Sequence, residues 1–328
     1  MSGLPDSLDS SSGLEIHILR FSRWFTLPVS LAVNALEQGL VYSVMALGVL
    51  ITFRVLDFPD LTVDGSFTLG AAITSTLIVF GWSPIPSVLI GILGGMCAGV
   101  FTGFLSTKLS ILNLLAGILT MTLLYSVNLR IMGRPNVPLL GESTIIDEVH
   151  AFLETFGLEP YSTLIFFGSV VLFCKLSLDW FFNTEIGLSL RATGDNEQMV
   201  VSQGVNTDSM KVLGLAISNG LVALSGGLVA QYSGFADVGM GIGMIIAGLA
   251  SVIIGETLFP TRTFAWLTSG VIAGSIIYRS AIMLALRYGH NLGFQASDLK
   301  MITALIVIVA LATPQVRSKL NLKLGDLT

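Results

Sequence analysis

The chain has 328 residues, of which 53% are hydrophobic and 11% charged, with a formal net charge of −5 and a mean hydropathy of +0.83. That balance excludes a soluble enzyme and a nucleic-acid-binding protein. It predicts an all-α polytopic membrane bundle, because charge is confined to short segments between apolar runs close to the roughly 20 residues a helix needs to cross a bilayer.

In chain order, residues 1–27 form an acidic, Ser-rich tail without the basic and apolar regions of a leader, so the spans themselves are expected to direct insertion. Within it, 14–26 alternates apolar residues with Arg20, Arg23 and Trp24, which suits a helix lying in the membrane interface. A transmembrane domain over 28–315 follows, with spans expected at 28–53, 66–81, 85–106, 111–132, 161–183, 211–233, 239–258, 264–287 and 299–313. About 8–10 transmembrane helices with a broken second helix are therefore predicted, and 316–328 is a short tail. Lys108, Lys175, Arg191, Lys211, Arg262, Arg317, Lys319 and Lys323 fall on one side, which the positive-inside rule makes cytoplasmic. The acidic segment 133–160 makes a poor cytoplasmic loop.

Between the first two spans lies Arg-Val-Leu-Asp-Phe-Pro-Asp-Leu-Thr-Val-Asp-Gly-Ser, residues 54–66. Pro59 and Gly65 are expected to interrupt helix there. Broken helices at membrane depth survive only against protein or a water-filled cavity, so Asp60 and Asp64 either border a transport path, where their side chains are expected to cap N–H groups of the following helix and not to carry protons, or are solvated carboxylates of a turn. Glu37 and Arg279 lie inside predicted spans, with Asn34 close to Glu37 at helical spacing. Charges inside spans face the bundle interior and find partners, so these two either pair with each other or line the path. Gly91, Gly95, Gly99 and Gly103 recur every four residues, as do Gly270 and Gly274, making smooth stripes for close helix packing. Cys97 and Cys174 both lie in apolar runs, and His17, His150 and His290 are isolated, so neither a disulfide framework nor a metal site is expected.

The soluble hairpin at 184–211 is the most informative stretch. Asp195 or Asn196 can cap a helix start, Gln198 stands at capping-box distance from Asp195, and Gly204 provides a left-handed stop, which predicts a helix of about two turns. A short specified helix in a loop between spans suggests presentation to a partner. The chain has no phosphate-binding Gly-x-x-x-x-Gly-Lys-Ser/Thr loop, no nucleophile constellation and no metal-ligand cluster. Energy for active transport therefore comes either from another subunit or from an ion gradient.

Three stretches carry a resemblance to a known family: Gly39-Leu-Val-Tyr-Ser-Val-Met-Ala-Leu-Gly48, Gly187-Leu-Ser-Leu-Arg-Ala through Gly204-Val-Asn-Thr, and Ser225-Gly-Gly-Leu through Val252-Ile-Ile-Gly255. From about Asn34 to Pro314 the chain resembles the inner-membrane permease subunits of ATP-binding-cassette importers for branched-chain amino acids, ribose-type sugars and related solutes. Leu56-Asp-Phe-Pro-Asp-Leu-Thr-Val-Asp-Gly-Ser-Phe67 looks like a branch associated with aromatic amino acids such as tryptophan, and departs from the Asn-Phe-Ala-x-Gly pattern of branched-chain permeases. The resemblance implies a bacterial inner-membrane importer subunit. Its partners would be a second permease copy or paralogue, two ATPase subunits that bind ATP and magnesium, and an extracytoplasmic solute-binding protein, with no cofactor on this chain. It further implies that Asp195 to Gly204 form a coupling helix, with Arg191, Asp195, Asn196, Glu197, Met199, Val200, Gln203 and Gly204 meeting the ATPase. The path residues are expected to be Asn34, Glu37, Asp60, Asp64 and Arg279. A sugar or nucleoside permease and an ion-coupled secondary transporter are the alternatives.

Overall fold

The computed structural model describes residues 32–155, 157, 161–259 and 263–289, together with positions 301, 304, 305 and 308. The expected interfacial helix at 14–26, both tails and most of the expected span at 299–313 lie outside the described residues. The elements in order are α1 (Ala32–Val55), α2 (Thr62–Val79), α3 (Pro84–Thr107), α4 (Asn113–Met132), β1 (Asn136–Pro138), α5 (Ile145–Glu154), α6 (Ser162–Phe181), α7 (Glu185–Asp195), α8 (Glu197–Ser202), α9 (Thr207–Ser233), β2 (Phe235–Asp237), α10 (Met244–Leu258) and α11 (Phe264–Gly289). Among the described residues, seven helices are long and apolar enough to cross a membrane: α1, α2, α3, α4, α6, α9 and α11.

The expected span at 239–258 takes a different form. Residues 238–243 run as turns, Gly243 sits in the left-handed region at φ 87°, and α10 begins only at Met244. Its 15 residues extend about 22 Å, short of the ~30 Å hydrocarbon thickness. A similar correction applies to the second span, since α2 starts at Thr62 and runs unbroken through Gly65. The break is confined to 56–61. It follows a π-helical last turn of α1, Ile51–Val55, closed by the Leu56 N–H donating to the Ile51 carbonyl at 2.9 Å. Pro59 does lie in this break, whereas Gly65 packs against Leu124 of α4.

Helix α9 is the axis of the bundle. In a bilayer, lipid tails are as apolar as leucine, so helices associate through close packing and interhelical hydrogen bonds more than through the hydrophobic effect. The expected glycine stripe of α3 meets α9 this way, and a methyl group on Gly95 or Gly99 would overlap backbone atoms of Asn219 or Leu215. Gly70 of α2 lies equally close to Ala223. On another face, Ser218 and Ser225 donate hydroxyl protons to the carbonyls of Gly48 and Val41 in α1, at 2.7 and 2.8 Å. The pairs are two helical turns apart on both helices, which fixes the antiparallel register of α1 and α9. Gly270 and Gly274 likewise bring α11 against Gly255 and Ser251 of α10. At the end opposite α7 and α8, the acidic segment after α4 folds into β1, paired antiparallel with β2 through Asn136↔Asp237 and Val137↔Ala236. It continues into α5, whose start carries a Thr144/Asp147 capping box.

Packing of this kind separates two glycines experimentally. Gly99→Val should lower stability by about 1–3 kcal/mol through overpacking, read as a lower unfolding midpoint in detergent. Gly168→Ala in α6, where no neighbour lies within 4 Å of an added Cβ, should leave the midpoint unchanged or slightly raised.

Candidate functional site

The break at 56–61 carries the chain back into the bundle. Phe58 N–H returns to the Thr52 carbonyl at 2.8 Å, and Asp60 ends fully buried against α9. Its Oδ1 accepts from the Thr62 backbone N–H at 2.9 Å and its Oδ2 from the Asn219 amide at 2.8 Å. Asn219 lies twelve residues, or about 18 Å, into α9. The re-entrant segment therefore reaches well inside the bundle and starts α2 there, with Thr62 also bonded to Thr102 of α3 at 2.7 Å.

One turn further on, Asp64 does for α10 what Asp60 does for α2. Its Oδ2 accepts from Gly243 N–H and its Oδ1 from Ile245 N–H, both at 2.8 Å. Thr68 adds an acceptor for Gly241 N–H at 3.1 Å. A helix that starts inside the bundle exposes N–H groups that water does not reach, and a carboxylate there satisfies them and complements the positive end of the helix dipole. Asp60 and Asp64 are thus brought together as the caps of two helices that begin within the bundle. Of the other predicted path residues, Asn34 and Glu37 make no contact with either carboxylate, whereas Arg279 borders the start of α10 through Met244. Asn34 is exposed at the start of α1, and Glu37 is buried, accepting from the Tyr232 hydroxyl at 3.2 Å.

Arg279 stands over the Tyr42 ring, 3.3 Å from its centre. The pairing of Glu37 with Arg279 that the sequence left open does not form, because Tyr232 and Tyr42 take the two charges separately. Asn219, Thr102 and Thr68 were missed by sequence reasoning. Asn219 was the most findable, as an amide inside an otherwise small and apolar span. Among the described residues, no group of three His, Cys, Asp or Glu is placed to hold a metal ion. His150 instead bonds Ser162 at 2.8 Å.

The hairpin contains two helices, α7 and α8, joined at Asn196. Asn196, not Asp195, is the cap, its Oδ1 accepting from Met199 N–H at 3.0 Å. Gly204 is left-handed at φ 84° and follows α8, which is 6 residues long. Val200 is 2% exposed, while Met199 and Val201 are 46% and 55% exposed. The apolar pair available to a partner is therefore Met199 and Val201; Val200 holds the hairpin to its own chain and is not an outward contact. Gln203 and Asp195 are exposed. Glu197 Oε1 accepts from the Lys211 ammonium at 2.6 Å and from the Thr207 hydroxyl at 3.1 Å, and the lysine bond holds the Glu197 carboxyl below its ordinary range. Arg191 lies 5.7 Å over the Phe264 ring and, with Arg54 and Asp195, lines a cleft of about 200 Å³. Gly194 of α7 touches the Val55 carbonyl at the end of α1 without room for a Cβ.

A bundle of membrane helices with one buried and one half-buried helix-capping carboxylate and a structured hairpin has the features of a membrane permease subunit. The chain belongs to the family described as the permease component of branched-chain amino acid transport systems, whose model matches residues 31–312. It is 46% identical over 281 residues to a tyrosine transport system permease protein of Clostridioides difficile (strain R20291), covering 86% of this chain and 90% of that one. It is 34% identical over 286 residues, 87% of this chain and 98% of the relative, to an uncharacterized protein of Rickettsia prowazekii (strain Madrid E). An autoinducer 2 import system permease protein of Yersinia pseudotuberculosis (serotype IB, strain PB1/+) is 26% identical over 197 residues, 60% of this chain and 54% of its own. The protein is thus a multi-pass membrane permease subunit.

Loss of the Asp64 carboxylate should expose its structural role. Asp64→Ala orphans the Gly243 and Ile245 N–H groups at about 1–3 kcal/mol each, so the unfolding midpoint should fall by several degrees and amide exchange at both positions should accelerate. Asp64→Asn keeps one acceptor oxygen and should fall between.

Proposed function

We propose that the chain is the membrane-spanning subunit of an ATP-binding-cassette importer in a bacterial inner membrane, moving an amino acid of the aromatic, tyrosine type. The observation that carries this reading is the 46% identity with a tyrosine transport system permease over 90% of that protein's length. Two permease subunits, identical or paralogous, would enclose the path, an extracytoplasmic binding protein would deliver the solute, and two ATPase subunits holding ATP and magnesium would dock on the hairpins.

The contacts of the hairpin support a mechanical role. Displacement of α7 and α8 bears on the end of α1 through Gly194 and Val55, and so on the re-entrant segment that begins there. Asp64 links that segment's helix to the start of α10, while Arg54 and Glu256, 2.7 Å apart, link the end of α1 to the far part of α10. Rigid elements joined at both ends transmit a shift rather than absorb it. An ion-coupled mechanism using Asp60 or Asp64 is disfavoured, because both oxygens of each carboxylate are occupied by N–H donors and a carried proton would displace one.

The assembled complex in proteoliposomes should take up L-tyrosine only with ATP and continue when an uncoupler collapses the proton gradient. Uptake that stops on adding uncoupler at constant ATP would return the secondary-transporter reading, and uptake of ribose in place of L-tyrosine would return the sugar reading. Met199→Asp with Val201→Asp should lower ATP-driven uptake about tenfold or more, as the loss of ~1.4 kcal/mol of docking energy would do, with an unchanged unfolding midpoint. Val200→Asp should instead destabilise the chain, since it buries a charge.

A further inference from the structure

Arg279 is a cation inside α11 that its surroundings hold in place without using its hydrogen-bonding capacity. Its guanidinium carbon lies over the Tyr42 ring, 3.3 Å from the ring centre, and Tyr42 stacks on Phe67 at 5.9 Å and 11°. Among the described residues its Nη2 reaches only the Met244 sulfur, at 3.9 Å, and its buried Nε has no acceptor. Among the described residues no carboxylate forms an ion pair with it. A charge in a span is costly, and stacking on an aromatic face offsets part of that cost while leaving the N–H edges free. Filling space alone would be served by methionine or leucine.

Beside Arg279 opens a cavity of about 470 Å³, lined by Met240, Gly243, Met244, Tyr278 and Ile282 among others, within the ~300–1,000 Å³ range of small-molecule sites. The start of α10 also borders this cavity, but Asp64 already takes the Gly243 and Ile245 N–H groups. An anion entering here therefore meets Arg279.

We propose that Arg279 is a carboxylate-binding subsite on the transport path, where the guanidinium edge engages both oxygens of the solute's carboxylate and Met240, Met244, Ile282 and Tyr278 receive its apolar part. The inference deepens the amino-acid reading above and rests on it. A planar fork matched to a carboxylate selects solutes bearing one over neutral sugars, because a neutral solute leaves the guanidinium unpaired. Tyr42 then acts as the positioning residue, fixing the plane of the guanidinium before the solute arrives.

Thermal unfolding of the purified full-length chain in detergent tests this directly, with millimolar L-tyrosine, L-tyrosinamide, L-leucine and ribose as probes. L-Tyrosine should raise the midpoint by about 2 °C or more, and L-tyrosinamide, which lacks only the carboxylate charge, should not. Arg279→Met should abolish the protection, and Arg279→Lys should keep part of it through its remaining charge. Equal protection by the amide, undiminished protection in Arg279→Met, or no protection by either carboxylate-bearing amino acid would overturn the subsite. The comparison of acid with amide on the unaltered chain holds even if a variant does not fold. Protection by L-leucine but not L-tyrosine would leave the subsite standing and remove the aromatic part of the proposed function. Protection by ribose alone would overturn both.

Discussion

The structure depends on supplying hydrogen-bond acceptors to helices that begin inside the membrane bundle. Water satisfies the first N–H groups of an ordinary helix, but hydrocarbon leaves them orphaned at a cost of several kcal/mol each. Asp60 and Asp64, four residues apart, resolve this for α2 and α10 through three of their carboxylate oxygens, and the fourth ties Asp60 to the Asn219 amide of α9. The sequence Asp-Leu-Thr-Val-Asp thereby makes both a re-entrant segment and a half-length helix possible, and the cavity beside α10 exists because that helix starts where it does.

Close backbone approach makes these caps reachable. Asn219 meets Asp60 only because α9 lies near enough to α3 for Gly95 and Gly99 to touch its backbone. Serine-to-carbonyl bonds then hold α1 at a fixed register on the opposite face. Small residues serve here as spacing devices: they set the distances at which a few polar side chains find partners. The more exposed helices, α4 and α6, carry large apolar side chains outward instead.

The hairpin joins this interior through the end of α1. Its two helices form a compact unit in which Val200 faces inward, Glu197 is tied to Lys211, and Gly194 abuts Val55. The Glu197–Lys211 tie is complete at neutral pH, since the glutamate's folded pKa is lowered, and it loosens only as acid protonates the carboxylate; exposure to solvent keeps its contribution small. What remains outward is a small apolar pair, Met199 and Val201, on a body that bears on the re-entrant segment.

Composition and periodicity by themselves determined the membrane class and most of the spans, because bilayer thickness imposes a length on apolar helices that no tertiary contact alters. The glycine stripes were legible for the same reason: four-residue spacing places small residues on one helical face whatever the helix packs against. The break near Pro59 and the importance of Asp60 and Asp64 were visible as polar groups in an apolar setting. Only the tertiary structure decided what those groups do. Asp64 caps a helix about 180 residues further along the chain, and local pattern carries no information on so distant a partner. The half-length of α10 was hidden because Val238 to Ile242 is as apolar as a span yet runs as turns. Asn196 displaced Asp195 as the cap, and Val200 turned inward, because α8 is fixed against α9 by contacts that its own six residues do not encode. The fates of Glu37 and Arg279 followed from which aromatic ring lay nearest, Tyr232 for one and Tyr42 for the other. That is a matter of helix placement, which sequence spacing within a single helix cannot supply.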